Sequence, residues 1–574
     1  MNFSLTDYEN IVAALAAAPA EKPFITEWHD ASDHTSVTFG EFWRRAQSLA
    51  SFLKREGLRP GDRLVLVMPQ GIQLMAAFAG AMMLGAVPAI LAYPNFKADP
   101  AKYRQGLRGV TANLRAPFLL VDANFPGPLL ADLHLDPATK LLHAPTDVAN
   151  PPETGFPIAE ILRSDLAFIQ HSAGTTGLQK GVALTNGAVL GHLNNLVSAL
   201  NITASDRIYS WLPLYHDMGL VACFVLPMVC HLPVVMQSPA EWVRRPETML
   251  KLFTEHRCTL AWMPNFAFQF IPRRTPASFR PQCDLSSARA IVNCSEPVRA
   301  SSLHEFQSAF ASIGLKADAM QSSYAMAENV FAVTQSDINQ PLGPACIWAD
   351  AQQFRTKHLI VPAVEGTTGS LSFKSSGQLL PNNEVRIVSD SGELLEDAHV
   401  GEIHIKSDSL FEGYYNRPDL TASALIHGWY HTGDLGFYFE NELFVVGRKK
   451  DLLIVGGENL YPQDIEEIVA SHAAIHDGRV VALGVYNPDL GTDDIVVVAE
   501  VEQTGLLTSP AEIERELRNL VVAGLGVAVR TIFLKPPKWI VKSTAGKASR
   551  SATREKMLHE HPELKPESEE SQFT

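Results

Sequence analysis

Cysteine is scarce in this chain and never paired in sequence. The six thiols, Cys223, Cys230, Cys258, Cys283, Cys294 and Cys346, include no C-x-x-C spacing, and both ends of the chain have none. A disulfide framework and a structural zinc site are therefore not expected; reduced, buried thiols in a cytoplasmic protein are. Positive charge is also short: 47 Lys and Arg against 62 Asp and Glu leave a formal net charge of -15. Broad nucleic-acid binding needs a basic footprint, which this composition does not supply. Residues 1–19 have no basic n-region, so no signal peptide is read there. The most apolar stretch, residues 74–93, is interrupted by Gly80, Gly85 and Pro88 and has no Lys/Arg asymmetry at its flanks. It reads as a buried helix running into a buried strand rather than a membrane span. No internal repeat is present.

What is there is an ordinary globular composition, 46% hydrophobic and 19% charged over 574 residues, long enough for about three to four domains. Thr38 and Glu41 have capping-box spacing, Phe42, Ala46, Leu49 and Leu53 follow at helical intervals, and Gly57 fits the stop. Apolar strands at 64–68, 87–91 and 166–169 alternate with helices to about residue 330, which predicts α/β architecture with a mostly parallel sheet. From 371 to 405 the pattern changes to short strands and turns. After Arg448 a new unit begins, with strands near 480–485 and 495–501 and a helix start at Ser509, Pro510 and Glu512. The expected division is an N-terminal domain over 1–449 with a β-rich subdomain at about 371–449, then a small α+β domain over 450–555. The charged, proline-containing tail, 556–574, is expected to be disordered.

Residues 172–181, Ser-Ala-Gly-Thr-Thr-Gly-Leu-Gln-Lys-Gly, follow the strand at 166–169, and Thr185 or Asn186 suits the cap of the next helix. Glycines at 174, 177 and 181 let backbone N–H groups turn toward an anion, Thr175 and Thr176 add hydroxyls, and Lys180 adds a cation. The loop reads either as a polyphosphate cradle or as a flexible turn. It lacks the G-K-[ST] ending of a P-loop.

The loop resembles the signature of the adenylate-forming superfamily: acyl-CoA synthetases, peptide-synthetase adenylation domains, luciferases and fatty acyl-AMP ligases. Further matches fall in that family's order. Residues 324–328, Tyr-Ala-Met-Ala-Glu, look like Y-G-x-[TA]-E. Gly413-Tyr414 with Pro418 and Thr421 looks like G-Y-x-x-x-P-x-x-T. Thr432-Gly433-Asp434 is similar to T-G-D, Gly447-Arg448 opens G-R-x-[KD], and 542–547, Lys-Ser-Thr-Ala-Gly-Lys, look like the C-terminal lysine motif.

The resemblance implies a large N-terminal domain and a mobile C-terminal one, with ATP as substrate and Mg²⁺ as cofactor. It places Ser172, Gly174, Thr175, Thr176, Gly177, Lys180, Ser295, Glu296, Ser323, Tyr324, Ala325, Met326, Asp434, Arg448 and Lys547 around the nucleotide. Glu328 would hold Mg²⁺, Asp434 the ribose hydroxyls, and Tyr324 would stack on adenine. Lys547 would bridge carboxylate and α-phosphate, and Lys450 would be the hinge. His216, Asp217, Met218, Gly219, Asn265 and Phe266 would line the acyl pocket, although His216 reads equally as a packed core histidine.

Within the superfamily several details look like fatty acyl-AMP ligases: 210–219 is similar to S-W-L-P-x-x-H-D-M-G, and 293–298 to N-G-A-E-P-V. Ala92-Tyr93-Pro94, 263–267 and 461–466 look like theirs too. Gly377 follows Glu328 by 49 positions, longer than in CoA ligases, and the resemblance implies an insertion at about 340–369. Gly456-Gly457-Glu458-Asn459 and His431 look more like CoA ligases. The implied activity is activation of a fatty or other carboxylic acid as acyl-AMP, followed by transfer to the phosphopantetheine thiol of a separate acyl carrier protein. CoA is the alternative acceptor, and a lapsed adenylate-binding protein the remote alternative. The cations between 535 and 556 read either as a docking face for an acidic carrier or as solvated charge.

Overall fold

The computed structural model describes residues 3–30, 33–94, 100–146, 158–171, 180–455, 458–487, 492–501, 509–542 and 548–564. Two sheets carry the N-terminal part. The first runs, from one edge to the other, through Met320–Ser322, Ala290–Asn293, Leu260–Met263, Ile208–Ser210, Val234–Gln237, Pro23–Trp28 and His34–Thr38. All its pairings are parallel except the last. The second, Val87–Ile90, Arg63–Val67, Phe118–Val121 and Lys140–His143, is parallel throughout. Such strands are covered on both faces and therefore read as continuous apolar runs rather than alternations. Leu260–Met263 and Ala290–Asn293 are buried at every residue.

The local signals act as their chemistry requires. Thr38 Oγ1 accepts from the Glu41 amide (3.2 Å), Glu41 Oε2 accepts from the Thr38 amide (2.8 Å), and helix Phe39–Glu56 ends at Gly57 with φ +103°. The most apolar stretch is the buried helix Ile72–Met83 followed by strand Val87–Ile90. Among the described residues no helix is long and apolar enough to cross a membrane. The short helix Ile11–Ala16 and the hairpin Pro23–Trp28/His34–Thr38 were not read from sequence.

One expectation needs correction. Strand Leu166–His171 does not pass through its glycine-rich loop straight into a helix. The apolar run Gly181–Thr185 first returns as a fully buried antiparallel strand, and only then does Thr185 cap helix Asn186–Ala199, accepting from Ala188 N at 3.2 Å. Gly413–Tyr414 adds to this strand, with Gly413 opposite Ala183 and Tyr414 opposite Val182.

An antiparallel sheet of Asn383–Val388, Gly401–Ser407, Trp429–Phe439, Leu425–Ile426 and Glu442–Arg448 forms the β-rich part. The long segment before it is ordered structure. Strand Cys346–Asp350 pairs with Ser370–Lys374, helix Ala351–Lys357 follows, and Ala349, Phe354 and Ile360 share a core with Phe437, Phe444 and Tyr461.

Beyond Arg448, strands Ile475–Asn487, Thr492–Val501 and Thr531–Lys535 form a sheet, packed by helices Pro462–Ala470, Pro510–Leu525 and Arg550–Glu560 around cores of their own. Ser509 and Glu512 form the expected capping box. The tail is not disordered from 556 onward: helix Arg550–Glu560 runs through that point because Met557 and Leu558 bury against Val481, Val496 and Trp539. Residues 565–574 lie outside those described.

His192, on helix Asn186–Ala199, ties this framework to the segment carrying Tyr324 and Glu328. It is 1% exposed, and its Nε2 accepts from Ala332 N at 3.1 Å. Burial pushes its pKa down to about 3, against about 6.5 in an unfolded chain. The unfolded state therefore binds the extra proton between those values. Stability is present above the unfolded pKa and drains as pH falls toward the folded one, by up to about 1.4 kcal/mol per pH unit. His192→Gln keeps an acceptor that does not titrate. Denaturant unfolding of the variant between about pH 4 and 6 should show a pH slope shallower by up to one proton's worth; an unchanged slope would contradict the assignment.

Candidate adenylate-forming site

The antiparallel register of Trp429–Phe439 with Glu442–Arg448 sets Asp434 opposite Arg448. Arg448 Nε lies 3.2 Å from Asp434 Oδ1, and the Tyr324 hydroxyl donates to Asp434 Oδ2 at 2.7 Å. Asp434 is held by its own motif: its amide donates to Thr432 Oγ1 (3.0 Å), which in turn donates to Ile403 O (2.7 Å). Proximity to Asp434 raises the Arg448 pKa further; burial and then Asp434 push the Tyr324 phenol well above its usual range. Both Asp434 oxygens have a protein partner, yet each carboxylate oxygen has a second lone pair for a ligand hydroxyl.

A second group assembles four residues beyond Tyr324. The Tyr414 hydroxyl donates to Glu328 Oε1 at 2.7 Å and lies 3.2 Å from the Tyr430 hydroxyl, while Lys180 Nζ sits 4.6 Å above the Tyr414 ring. The pairing of Gly413–Tyr414 with Gly181–Thr185 places the lysine of the glycine-rich loop over the tyrosine ring whose hydroxyl holds this carboxylate. Just past Glu328, Phe331 N donates to Asn329 O at 2.6 Å around Val330, whose φ is +60° and ψ -57°. This is a γ-turn with a β-branched residue at its centre, a conformation that costs about 1–3 kcal/mol. Sequence reading gave no sign of it.

A third group gathers residues expected from sequence to line the acyl pocket. His216 Nδ1 is 2.6 Å from Asp217 Oδ1, which also caps Met218 N at 2.7 Å. The chain then winds as a buried π-helix, Met218–Val225, a form frequent at functional sites. Ser295, at φ +70°, directs its hydroxyl toward Met218 Sδ (3.9 Å). Glu296 Oε2 accepts from Phe266 N (3.0 Å), and Asn265 Oδ1 accepts from Asn293 Nδ2 (2.8 Å). Behind them Trp211 and Trp242 stack at 3.6 Å, with Phe266 edge-on to both.

Other expected residues stand as follows. The Ser323 hydroxyl donates to Thr334 O at 2.7 Å, and Ala325 and Met326 pair with Ala332 and Phe331 through the backbone. Ser172, Gly174, Thr175, Thr176, Gly177 and Lys547 lie outside the described residues. Lys450 is exposed in the turn Lys449–Asp451, between two tethers. Lys449 bonds Glu402 (3.1 Å) and Asp390 (2.9 Å) on the N-terminal side, and Asp451 bonds Arg550 (3.1 Å) on the C-terminal side.

Three of the cations between 535 and 556 are committed to partners within the domain. Lys535 bonds Glu560 (2.9 Å), Arg550 bonds Glu466 (2.6 Å), and Lys556 donates to Trp539 O (2.8 Å). The ligand atoms of Glu402, His404 and His431 gather within 4.8 Å of one another. Arg386 donates to His404 Nδ1 (3.4 Å) and Lys449 occupies Glu402, so these lone pairs already face cations. Burial and then the neighbouring His431 hold His404 down at about 4.

Comparison with known proteins matches residues 12–415 to the model of AMP-binding enzymes. The chain is 30% identical to 4-hydroxyphenylalkanoate adenylyltransferase of Mycobacterium marinum, covering 91% of this chain and 86% of the relative. It is 29% identical to the medium-chain fatty acid–[acyl-carrier-protein] ligase JamA of Moorena producens, covering 91% and 90%. A solved structure from studies of fatty acyl-adenylate ligases of E. coli and L. pneumophila superposes with TM-score 0.87 at 26% identity, covering 98% of this chain and all of that one. The fatty acid AMP ligase of Legionella pneumophila gives 0.73 at 27%, covering 97% and 96%.

Gly219 is fixed by close approach: a Cβ there would lie 2.3 Å from Pro213 O and 3.0 Å from Leu212 O. Gly219→Ala should therefore lower stability by about 1–3 kcal/mol in urea unfolding. Gly191→Ala, in helix Asn186–Ala199 with nothing within 4 Å of the new Cβ, should be neutral or stabilising by up to about 1 kcal/mol. Equal responses of the two would contradict the packing reading.

Proposed function

Because the chain belongs to the AMP-binding enzyme family, we propose that it is a ligase that activates a fatty or related carboxylic acid as its acyl-AMP, releasing pyrophosphate, and passes the acyl group to the phosphopantetheine thiol of an acyl carrier protein. The observation that carries this reading is the convergence of Tyr324, Asp434 and Arg448 with Lys180, Glu328 and Tyr414. The covered length and the relatives' activities, fatty acid–carrier ligation and acyl adenylation, support it.

In the reaction a carboxylate oxygen attacks the α-phosphorus of ATP and pyrophosphate leaves. Two anions must meet, so catalysis is positioning plus charge neutralisation. Asp434 accepts the ribose hydroxyls, with Arg448 fixing its rotamer and offering a cation toward the phosphates. Tyr324 offers its ring to the adenine while its hydroxyl stays on Asp434. Lys180 and the glycine-rich loop neutralise the leaving phosphates. Lys547 stabilises charge as the new bond forms.

The residues present suit Mg²⁺. Glu328 spends one oxygen on the Tyr414 hydroxyl, and Mg²⁺ needs only one or two protein carboxylates when phosphates complete its shell. Bound there, the ion would offset phosphate charge. His216, Asp217, Met218, Gly219, Asn265 and Phe266 line the acyl side, and the aromatic wall of Trp211, Trp242 and Phe266 excludes water there.

Lys547→Ala should lower acid-dependent ATP–pyrophosphate exchange by about 10²–10³ while ATP binding persists. Full exchange activity in the variant would remove Lys547 from the mechanism.

The preference for a carrier protein over CoA rests on the inserted segment. Its helix reaches the C-terminal domain: Phe354 stacks on Tyr461 (5.4 Å), Arg355 donates to Leu525 O (2.7 Å) and His358 bonds Asn459 (3.2 Å). Contacts of this kind restrain rotation about Lys450, and a docked carrier supplies binding energy that free CoA does not; a few kcal/mol decide such a balance. The intact protein should charge carrier protein and little CoA. Arg355→Ala/His358→Ala cuts two of these contacts without opening a core and should raise acyl-CoA formation at unchanged adenylation. Efficient acyl-CoA synthesis by the wild type would overturn the acceptor assignment and favour CoA.

A further inference from the structure

Segment 293–302 faces two ways. Toward the acyl side, Glu296 holds Phe266 N, and the Arg299 amide donates to Asn265 Oδ1 at 3.2 Å. Asn265 Nδ2 in turn donates to Ser302 Oγ at 3.1 Å. Toward the C-terminal domain, Arg299 Nη1 lies 3.1 Å from Asp464 Oδ1 and 3.2 Å from Glu467 Oε2, and Ser301 Oγ donates to Glu467 Oε1 at 2.8 Å. Asp464 and Glu467 stand three residues apart on helix Pro462–Ala470, so one guanidinium reaches both across a single turn. All three side chains are partly covered, at 22%, 24% and 43% exposure.

This contact lies beside the inserted helix, whose Phe354 lines the same cleft and whose Arg355 also faces Asp464. It joins the strand-end loop that carries Ser295 and Glu296 to the first helix beyond the hinge. Gly447 keeps the same seam close: a Cβ there would lie 2.8 Å from the Tyr461 ring, directly before that helix. An arginine suits the role because its planar fork can serve two carboxylates at once, which a lysine point charge cannot hold in fixed geometry.

We propose that Arg299 is a positioning residue that pins the C-terminal domain, through Asp464 and Glu467, to the loop beside the acyl site. The inference rests on the two-step reading given above. A pin present in one domain arrangement and broken in the other biases the balance between adenylation and thioester formation. Its removal should move the two rates in opposite directions, because stabilisation lost by one arrangement is gained relatively by the other.

The test uses full-length protein and the variants Arg299→Met, Arg299→Lys, Asp464→Asn/Glu467→Gln and the combination of Arg299→Met with the latter pair. Tryptic cleavage after the exposed Lys449 and Lys450 reports release of the domain without any substrate. ATP–pyrophosphate exchange and acyl transfer to carrier protein report the two half-reactions. Arg299→Met should cleave about five- to tenfold faster and shift the ratio of the half-reactions by a similar factor, one rising as the other falls. Arg299→Lys should restore part of both effects, and the combined variant should be no worse than Arg299→Met. Unchanged cleavage, additive effects in the combined variant, or equal loss in both half-reactions would overturn the proposal. If the wild type shows no acid-dependent exchange, the adenylation reading fails, while the cleavage rates still decide whether Arg299 pins the domain.

Discussion

Two antiparallel strands, Trp429–Phe439 and Glu442–Arg448, set Asp434 directly across from Arg448, and much of the site follows from that register. A slip of one residue between them would turn Asp434 to the opposite face, away from Arg448. With the register in place, Tyr324 closes on the free side of Asp434. Tyr324 is itself held from below, its amide bonded to Thr334 Oγ1 and that hydroxyl to Ser376 O. Glu328 then falls four residues on, where Tyr414 meets it. The same strand that ends at Arg448 leads into the turn Lys449–Asp451, so the cation proposed to face the nucleotide and the proposed hinge are neighbours in the chain.

Charge marks out the turn proposed as the hinge. Lys449 is tied to Glu402 and Asp390, Asp451 to Arg550, and Lys450 lies between them and makes no ion pair among the described residues. Rotation of the kind proposed would concentrate torsional change in a residue or two, as hinge motion requires. Partly exposed ion pairs are individually modest, about 0–1 kcal/mol. Their value here is directional: they define which residues move with which body. Helix Ala351–Lys357 and Arg299 contact the C-terminal residues at other points, and on the proposed reading they bear on how readily that part turns.

Much of this was legible in sequence because the chemistry sits in short contiguous motifs. Thr432-Gly433-Asp434, Gly447-Arg448 and residues 324–328 could be named from their resemblance to the superfamily's motifs, and the structure brings Tyr324, Asp434 and Arg448 together. The capping boxes at Thr38 and Ser509 were legible for the same reason, since both partners lie within four residues. What escaped depends on distant partners or on conformation. Val330 carries a strained turn that no composition signals. Tyr414 gains its role only by pairing with a strand more than two hundred residues away. The strand Gly181–Thr185 was hidden because a short buried apolar run does not declare whether it is strand or helix. Arg299 sits just beyond a recognisable motif, and its partners lie across the domain boundary. The cationic run near the C-terminus, which read equally as a docking face or as solvated charge, is in part neutralised by partners that no local spacing shows: Lys535 meets Glu560, and Arg550 meets Glu466 and Asp451.

The central claim is that a carboxylate oxygen of the acid substrate becomes bonded to the α-phosphorus of ATP. Incubating the protein with ATP, carrier protein and a fatty acid carrying ¹⁸O in both carboxyl oxygens, then analysing the nucleotide by mass spectrometry, tests it directly. Attack at the α-phosphorus predicts that each AMP released on acyl transfer carries one ¹⁸O and that the pyrophosphate carries none. Label in inorganic phosphate or pyrophosphate, or formation of ADP in place of AMP, would contradict the account.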